Sequence, residues 1–109
     1  MEEIMKKIMK FRDDREWKQF HTPKNLASAI SIEAAELNEI FLWKKDEESF
    51  KVNKEKVSDE LADVLIYSIL MMDAFDLNYS EIIENKIKKN SMNYPVEKAK
   101  GSAKKYNEL

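Results

Sequence analysis

Ser31–Trp43, SIEAAELNEIFLW, is the stretch on which the reading of this chain turns. Leu26, Ile30, Ala34, Leu37 and Phe41 recur at steps of three and four, the period of a helix with one buried stripe. Two carboxylates interrupt it. Glu36 lies beside the stripe, and Glu33 is flanked by Ile32 and Ala34. Taking carboxylates out of water is costly unless something positive meets them. A second couple, Glu60 and Asp63, sits in DELADVLIY at Asp59–Tyr67, at the edge of the most apolar segment. A merely solubilising charge is least expected there.

The remaining sequence must provide a scaffold for those four acids. One glycine, two prolines and 37% charged residues in 109 leave little to interrupt helices. The length fits one domain, residues 1–109, with a modest core. Cysteine is absent, which excludes disulfides and thiolate–metal sites. No apolar run reaches the ~20 residues that span a bilayer, and no signal-peptide pattern opens the chain, so a cytoplasmic protein with no membrane partner is expected. A net charge of −2 argues against polymeric nucleic acid as a partner, although Lys86–Lys105 carries seven lysines against the single acid Glu97.

Four helices are expected. The first covers residues 2–19, with Ile4, Ile8, Phe11 and Arg15 on one face. Thr22 is placed to cap the second, with Pro23 at the first helical position, where its missing N–H costs nothing. That helix is expected to reach about Trp43. Asn53 caps a third helix to about Phe75, whose Val57, Leu61, Val64, Leu65, Ile66, Ile69, Leu70 and Met72 cover more than one stripe. Asn78 and Glu81 have capping-box spacing for a fourth, to about Asn93, with Ile83, Ile87 and Asn90 facing inward. Pro95 stops it. The fold class is therefore all-α, an antiparallel four-helix bundle, completed or extended by oligomerisation because the third helix is apolar on too many sides.

On two antiparallel neighbouring helices, Glu33/Glu36 and Glu60/Asp63 converge, each couple at i,i+3. Left alone, such a cluster repels itself and some members hold protons. A hard divalent cation removes the conflict, and an all-oxygen set favours Mg2+, with Mn2+ as a substitute. Magnesium commonly bridges to substrate phosphates, which points to nucleotide or pyrophosphate chemistry. Glu39 extends the first couple by one more step, as a further ligand, a supporting group or a surface acid.

The acid couples resemble the signature of the MazG-like all-α nucleoside triphosphate pyrophosphohydrolases, and within them the small single-domain branch that includes dCTP pyrophosphatase. Four blocks match in order: FRDDREWKQFHTPKNL at Phe11–Leu26, EAAELNEIFLW at Glu33–Trp43, DELADVLIY at Asp59–Tyr67, and KIKKNSMNYPVEKAKGSAKKY at Lys86–Tyr106. The resemblance implies hydrolysis of a nucleoside triphosphate between its α and β phosphates, with magnesium required and dCTP or a modified dCTP favoured. It implies Glu33, Glu36, Glu60 and Asp63 as metal ligands, and Trp17, His21, Trp43 and Tyr67 around the base and sugar. It also implies Lys86, Asn90 and Tyr94 at the phosphates, in a homodimer or homotetramer. Ala35 stands where a glycine is common, and Leu42 where a glutamine often precedes the tryptophan; the second departure bears on base choice.

Read without that resemblance, Trp17 and Trp43 either stack a base or pack a core or interface. His21 either meets a sugar hydroxyl or a phosphate, or decorates a loop. Lys86 either offers charge to a triphosphate or snorkels. The tail lysines are either a solvated segment or a strap that bends at Gly101. No His–carboxylate set accompanies a serine or threonine nucleophile. Beside the dCTP reading stand a broad house-cleaning or dUTP-selective pyrophosphohydrolase and, from another class, a non-enzymatic helical interaction module.

Overall fold

A computed structural model describes all 109 residues. Five helices account for most of the chain: α1 (Glu2–Asp14), α2 (Pro23–Glu39), α3 (Lys54–Ala74), α4 (Tyr79–Asn93) and the single turn α5 (Val96–Ala99). Three short 3₁₀ segments, Lys18–Phe20, Asp46–Lys51 and Tyr106–Glu108, lie in the connections and the tail. The fold is all-α, and no helix is long and apolar enough to cross a membrane.

The chain divides into two compact units, Met1–Asp76 and Leu77–Leu109. In the first, α2 and α3 form the main packed pair, with α1 laid on α3. Two pairings fix the sense of α2 against α3. His21, just before α2, stacks edge-on with Tyr67 at 6.3 Å, whereas Glu36, near the end of α2, meets Glu60. The two helices are therefore antiparallel. Their seam is sealed by Leu26, Ile69 and Leu70, at 1%, 4% and 4% exposure.

Helix starts follow the caps read from the sequence. Thr22 Oγ1 accepts the Asn25 N–H at 3.2 Å, Asn53 Oδ1 accepts those of Glu55 and Lys56 at 2.9 and 3.3 Å, and Asn78 Oδ1 accepts that of Glu81 at 3.1 Å.

Helix ends are where the structure departs. The first helix stops at Asp14 rather than residue 19. Glu16 turns left-handed (φ 54°), its N–H donates to Asp13 O at 3.0 Å, and the Trp17 N–H reaches back to Arg12 O at 3.1 Å. That is a Schellman cap built without glycine, and the Phe11–Trp17 edge-to-face pair at 5.8 Å supplies its apolar clasp. The residue that completes the buried face of α1 is Arg12, not Arg15: Arg12 is 6% exposed and donates to Asp13 and to Asp73 of α3, each at 2.8 Å. The Arg15 guanidinium lies 3.7 Å over the Phe11 ring instead. The second helix ends at Glu39, tightens through i→i+3 bonds as far as Leu42, and reverses at Trp43, which takes φ 63°.

In the second unit, α4 does not bury the expected stripe. Ile83 and Ile87 are 50% and 57% exposed and Asn90 is exposed with them, while Tyr79 and Ile82 are half-buried. Tyr94 ends the helix before Pro95 and packs edge-on against Tyr106 at 6.1 Å.

Candidate functional site

The carboxylates of Glu33, Glu36 and Glu60 come together at the α2–α3 seam, one oxygen of each lying within 4.8 Å of the others. The i,i+3 spacing turns both α2 acids to one side, and the antiparallel register brings Glu60 to meet them. Glu33 is the more enclosed of the α2 couple. The covered line of that helix runs from buried Leu26 through half-buried Ile30, Glu33, Leu37 and Ile40, so a carboxylate occupies the place expected for Ala34, which is exposed.

Electrostatics at this point are unresolved by the chain alone. With every acid ionised, buried Glu33 Oε2 and Glu60 Oε2 have no hydrogen-bond donor. Burial pushes the Glu33 carboxyl up to about 7, reinforced by its hydrogen bond with Glu36 and by the charges of Glu36 and Asp63. Glu60 is raised as well, first through its hydrogen bond with Glu36 and then by burial. A retained proton gives an orphaned oxygen its donor; a divalent cation accomplishes the same without one. No basic side chain contributes to either shift.

Asp63 stands one turn beyond Glu60, near enough to act on both Glu33 and Glu60 by charge but outside the set of three. It lines a different space, a mainly apolar cavity of about 560 Å³ shared with Ile4, Ile8, Phe11, Arg12, Trp17, His21, Ile66, Tyr67 and Leu70. Three of the four expected base-contacting residues, Trp17, His21 and Tyr67, are therefore brought together. The Schellman cap of α1 sets Trp17 there, and the Thr22 cap follows directly on His21. His21 Nδ1 is buried without a partner, and burial, then the charge of Arg12, lowers the His21 pKa.

Trp43 is not among these residues. It is 92% exposed at its left-handed turn, and Phe50 in the next segment is 96% exposed. A bulky residue held at positive φ carries a strain cost of order 1–3 kcal/mol. Lys86, Asn90 and Tyr94 belong to the second unit, the first two exposed and the third half-buried.

On the other side of the acids lies a polar groove of about 890 Å³, into which Glu36 and Glu60 both open. Its rim holds Glu39, Lys44, Glu48, Lys51 and Lys56, with Val52 and Asn53 at the start of α3. Sequence reasoning passed over these lysines. Lys56 had a usable signal, since it stands one helical turn before Glu60, whereas Lys44 and Lys51 are brought in by the irregular path of residues 40–53. Arg12 was missed too, although it continues the Ile4–Ile8 spacing by one i+4 step. Glu39 lies in the groove, exposed and outside the carboxylate triplet.

Comparison with known proteins bears on what such a site does. The chain is 34% identical over 114 residues to dCTP pyrophosphatase 1 of Mus musculus, an alignment covering 100% of this chain and 67% of that protein. The Homo sapiens protein of the same name is 33% identical over the same span. Among solved structures, the crystal structure of a pyrophosphatase from Archaeoglobus fulgidus superposes with a TM-score of 0.84 at 46% identity, covering 87% of this chain and 92% of that one. The sequence pattern of the MazG-like family matches residues 28–109, which hold all four acids and run through both units. With three quarters of its length inside that match, this chain is a member of the MazG-like family.

Proposed function

We propose that this chain hydrolyses a (deoxy)nucleoside triphosphate at the α–β phosphate bond with Mg2+ as cofactor, dCTP or a modified dCTP being the favoured substrate. The observation that carries this reading is the meeting of Glu33, Glu36 and Glu60 oxygens at one seam, two of them buried and unpartnered. The activity class is that of the family: the chain is a nucleoside triphosphate pyrophosphohydrolase. Its functional domain is taken as the whole of residues 1–109, since the family match crosses both units.

The site fits a hard cation on its own chemistry. Its donors are all oxygen, there is no cysteine in the chain, and burial, with the neighbouring acids adding to it, pushes the Glu33 carboxyl up to about 7. Glu33, Glu36 and Glu60 would hold the ion, with Asp63 as the fourth ligand; Mn2+ would substitute. A bound divalent ion supplies Lewis-acid polarisation of a phosphoryl oxygen and acidifies water.

The chain's own residues do the rest. Trp17, His21 and Tyr67 take the base and sugar in the apolar cavity, excluding water from that end. The unpartnered His21 Nδ1 is held neutral by burial and Arg12, so it offers an acceptor or a donor rather than a charge. Water adds to the α phosphorus, the bridging α–β P–O bond breaks, and the products are the monophosphate and pyrophosphate, one proton being released. In the second unit, Lys86, Asn90 and Tyr94 are assigned to the phosphates on the family resemblance alone. A homodimer or homotetramer acting in the cytoplasm completes the reading. It is supported by apolar side chains this chain leaves uncovered, Leu61 (45% exposed) and Leu65 (54%) on α3 among them.

The test is pyrophosphate release from a panel of common and modified triphosphates, with magnesium and with chelator. The expected result is magnesium-dependent release, strongest with dCTP or a modified form. Full activity in chelator would overturn the metal assignment, and preference for dUTP would move the chain to that selective class. No release from any nucleotide, with no thermal stabilisation by Mg2+ or Mn2+, would favour the helical interaction module.

A further inference from the structure

Arg12 is the one charged side chain sealed into this chain, at 6% exposure, and the reading above uses it only as a neighbour of His21. It stands one i+4 step beyond Ile8 on α1 and so turns to the same face, against α3. The space it borders is the apolar cavity that also holds Trp17, His21 and Tyr67.

A guanidinium brings five N–H donors and no acceptor. Two are committed: the Nε N–H donates to Asp13 and an Nη1 N–H to Asp73, each at 2.8 Å. The Nη2 end donates to nothing in the chain. It is not shut away either, since the buried side-chain atoms left without a partner are His21 Nδ1, Glu33 Oε2 and Glu60 Oε2. A side chain more than nine-tenths buried thus keeps an open donor edge, at the wall of a cavity whose Ile4, Ile8, Phe11, Ile66 and Leu70 offer no acceptor.

The charge of Arg12 is already answered, because two carboxylates hold one guanidinium. What the open edge lacks is a neutral oxygen rather than an anion. Its place agrees: Asp73, which anchors it, lies on α3 a rise of about 15 Å beyond Asp63. Arg12 is therefore tied down at the end of the cavity away from the acids. A nucleotide with its α phosphate at the acids directs its base towards that end.

We propose that Arg12 is a specificity-determining residue, donating from its free guanidinium edge to a ring carbonyl oxygen of the bound base, so that the chain takes nucleotides with a keto base and disfavours adenine, which has none. The inference rests on the hydrolysis proposed above and adds the atom by which the base is read. In cytosine that atom is the single ring oxygen, on carbon 2. A site built to meet that oxygen rejects a base without it, because the buried donor is then left unpaired.

The experiment compares dCTP with 2-thio-dCTP, in which sulfur, a weak acceptor, replaces that oxygen, and both with dATP, using the full chain in magnesium. In the parent, the sulfur substitution is expected to cost about 10- to 100-fold in kcat/KM, the range for a hydrogen bond to a charged group. In Arg12→Met it should cost no more than about twofold, while dCTP itself falls at least about tenfold, chiefly through KM, and dATP stays within about twofold. Arg12→Lys keeps a cation for Asp73 but has no second arm to its fork, so it should lose the oxygen preference while melting closer to the parent. A packing role alone would weaken both cytosine nucleotides together and leave their ratio intact. Equal use of dCTP and 2-thio-dCTP by the parent overturns the assignment whether or not either variant folds, and so does a preference carried unchanged into Arg12→Met or Arg12→Lys. Calorimetric binding of dCMP against 2-thio-dCMP decides the same contact without turnover. Absence of pyrophosphate release from any triphosphate would remove the hydrolase reading, and the monophosphates would still decide the carbonyl contact.

Discussion

On one side of the α2–α3 seam a carboxyl resists losing its proton; further along it an imidazole resists gaining one. Glu33 is pushed up to about 7 chiefly by burial, with like charge adding to it, and His21 is lowered chiefly by burial, with Arg12 adding to it. The same cost of desolvating an ion acts on an acid and on a base, and both are driven towards neutrality. What differs is the remedy. The apolar cavity holds rings that suit an uncharged heterocycle, so a neutral histidine is at rest there. The acid side brings carboxylates together without a basic partner, so their crowding is relieved by a shared proton or by a cation. The two sides teach how one seam can hold a molecule apolar at one end and polyanionic at the other.

The sharpest way to break that contrast is at the acids. Glu36→Gln and Asp63→Asn should each cut turnover by at least about 100-fold while helical content and melting hold nearly constant, since neither carboxylate supports the core. Turnover unchanged in either variant would remove that residue from the site. Next in size is Arg12→Met. The guanidinium ties α1 to Asp73 of α3, and its loss should cost about 1–3 kcal/mol in denaturant unfolding, the lower end because Asp73 is 39% exposed and water can take over its oxygens. The same variant removes a charge that lowers the His21 pKa, so the single histidine signal should titrate at higher pH by NMR. No movement of that titration would separate Arg12 from the cavity.

A third test asks whether the apolar side binds a ring. Trp17→Ala should raise KM roughly tenfold with kcat little altered, in line with the ~1–3 kcal/mol an aromatic stack contributes per base. A fall in kcat with KM unchanged would instead assign Trp17 to the packing of α1 against α3.

Much of this was legible before any coordinates. Caps at Thr22, Asn53 and Asn78 declare themselves because a short polar side chain next to a helical pattern has one efficient use, and the acid couples at i,i+3 declare themselves because helix geometry fixes their side. Helix ends were less legible. The stop at Asp14 depends on Glu16 turning left-handed, which a glycine would have signalled and a glutamate hides, and Trp43 repeats the case after α2. Burial misled in both directions. Periodicity ranks Ala34 above Glu33 and Ile87 above Ile82, because a hydrophobicity pattern cannot see a stripe that runs through a carboxylate or an apolar residue left uncovered within its own chain. The groove lysines were hidden for another reason. Two of the three come from irregular backbone, where spacing along the chain says nothing about distance in space.

The smallest effect is the one most specific to the comparison, the pH dependence of stability without metal. For Glu33 the folded pKa lies above the unfolded one, so between about 4.5 and about 7 the folded chain holds more protons and stability falls as pH rises. For His21 the folded pKa lies below 6.5, so the unfolded chain holds more protons just beneath that value and stability there rises with pH. The two slopes oppose each other where their windows overlap. In chelator, the melting temperature should fall from pH 6.5 to 7.5, where Glu33 acts with little opposition. Magnesium should restore it most at the upper end, where the acids no longer share protons. Glu33→Gln should abolish the fall and leave the histidine's rise beneath pH 6.5 exposed. A metal-free melting curve that is flat in the parent chain and unchanged by Glu33→Gln would mean that the acids at the seam are solvated, and the difference between its two sides would lose its physical basis.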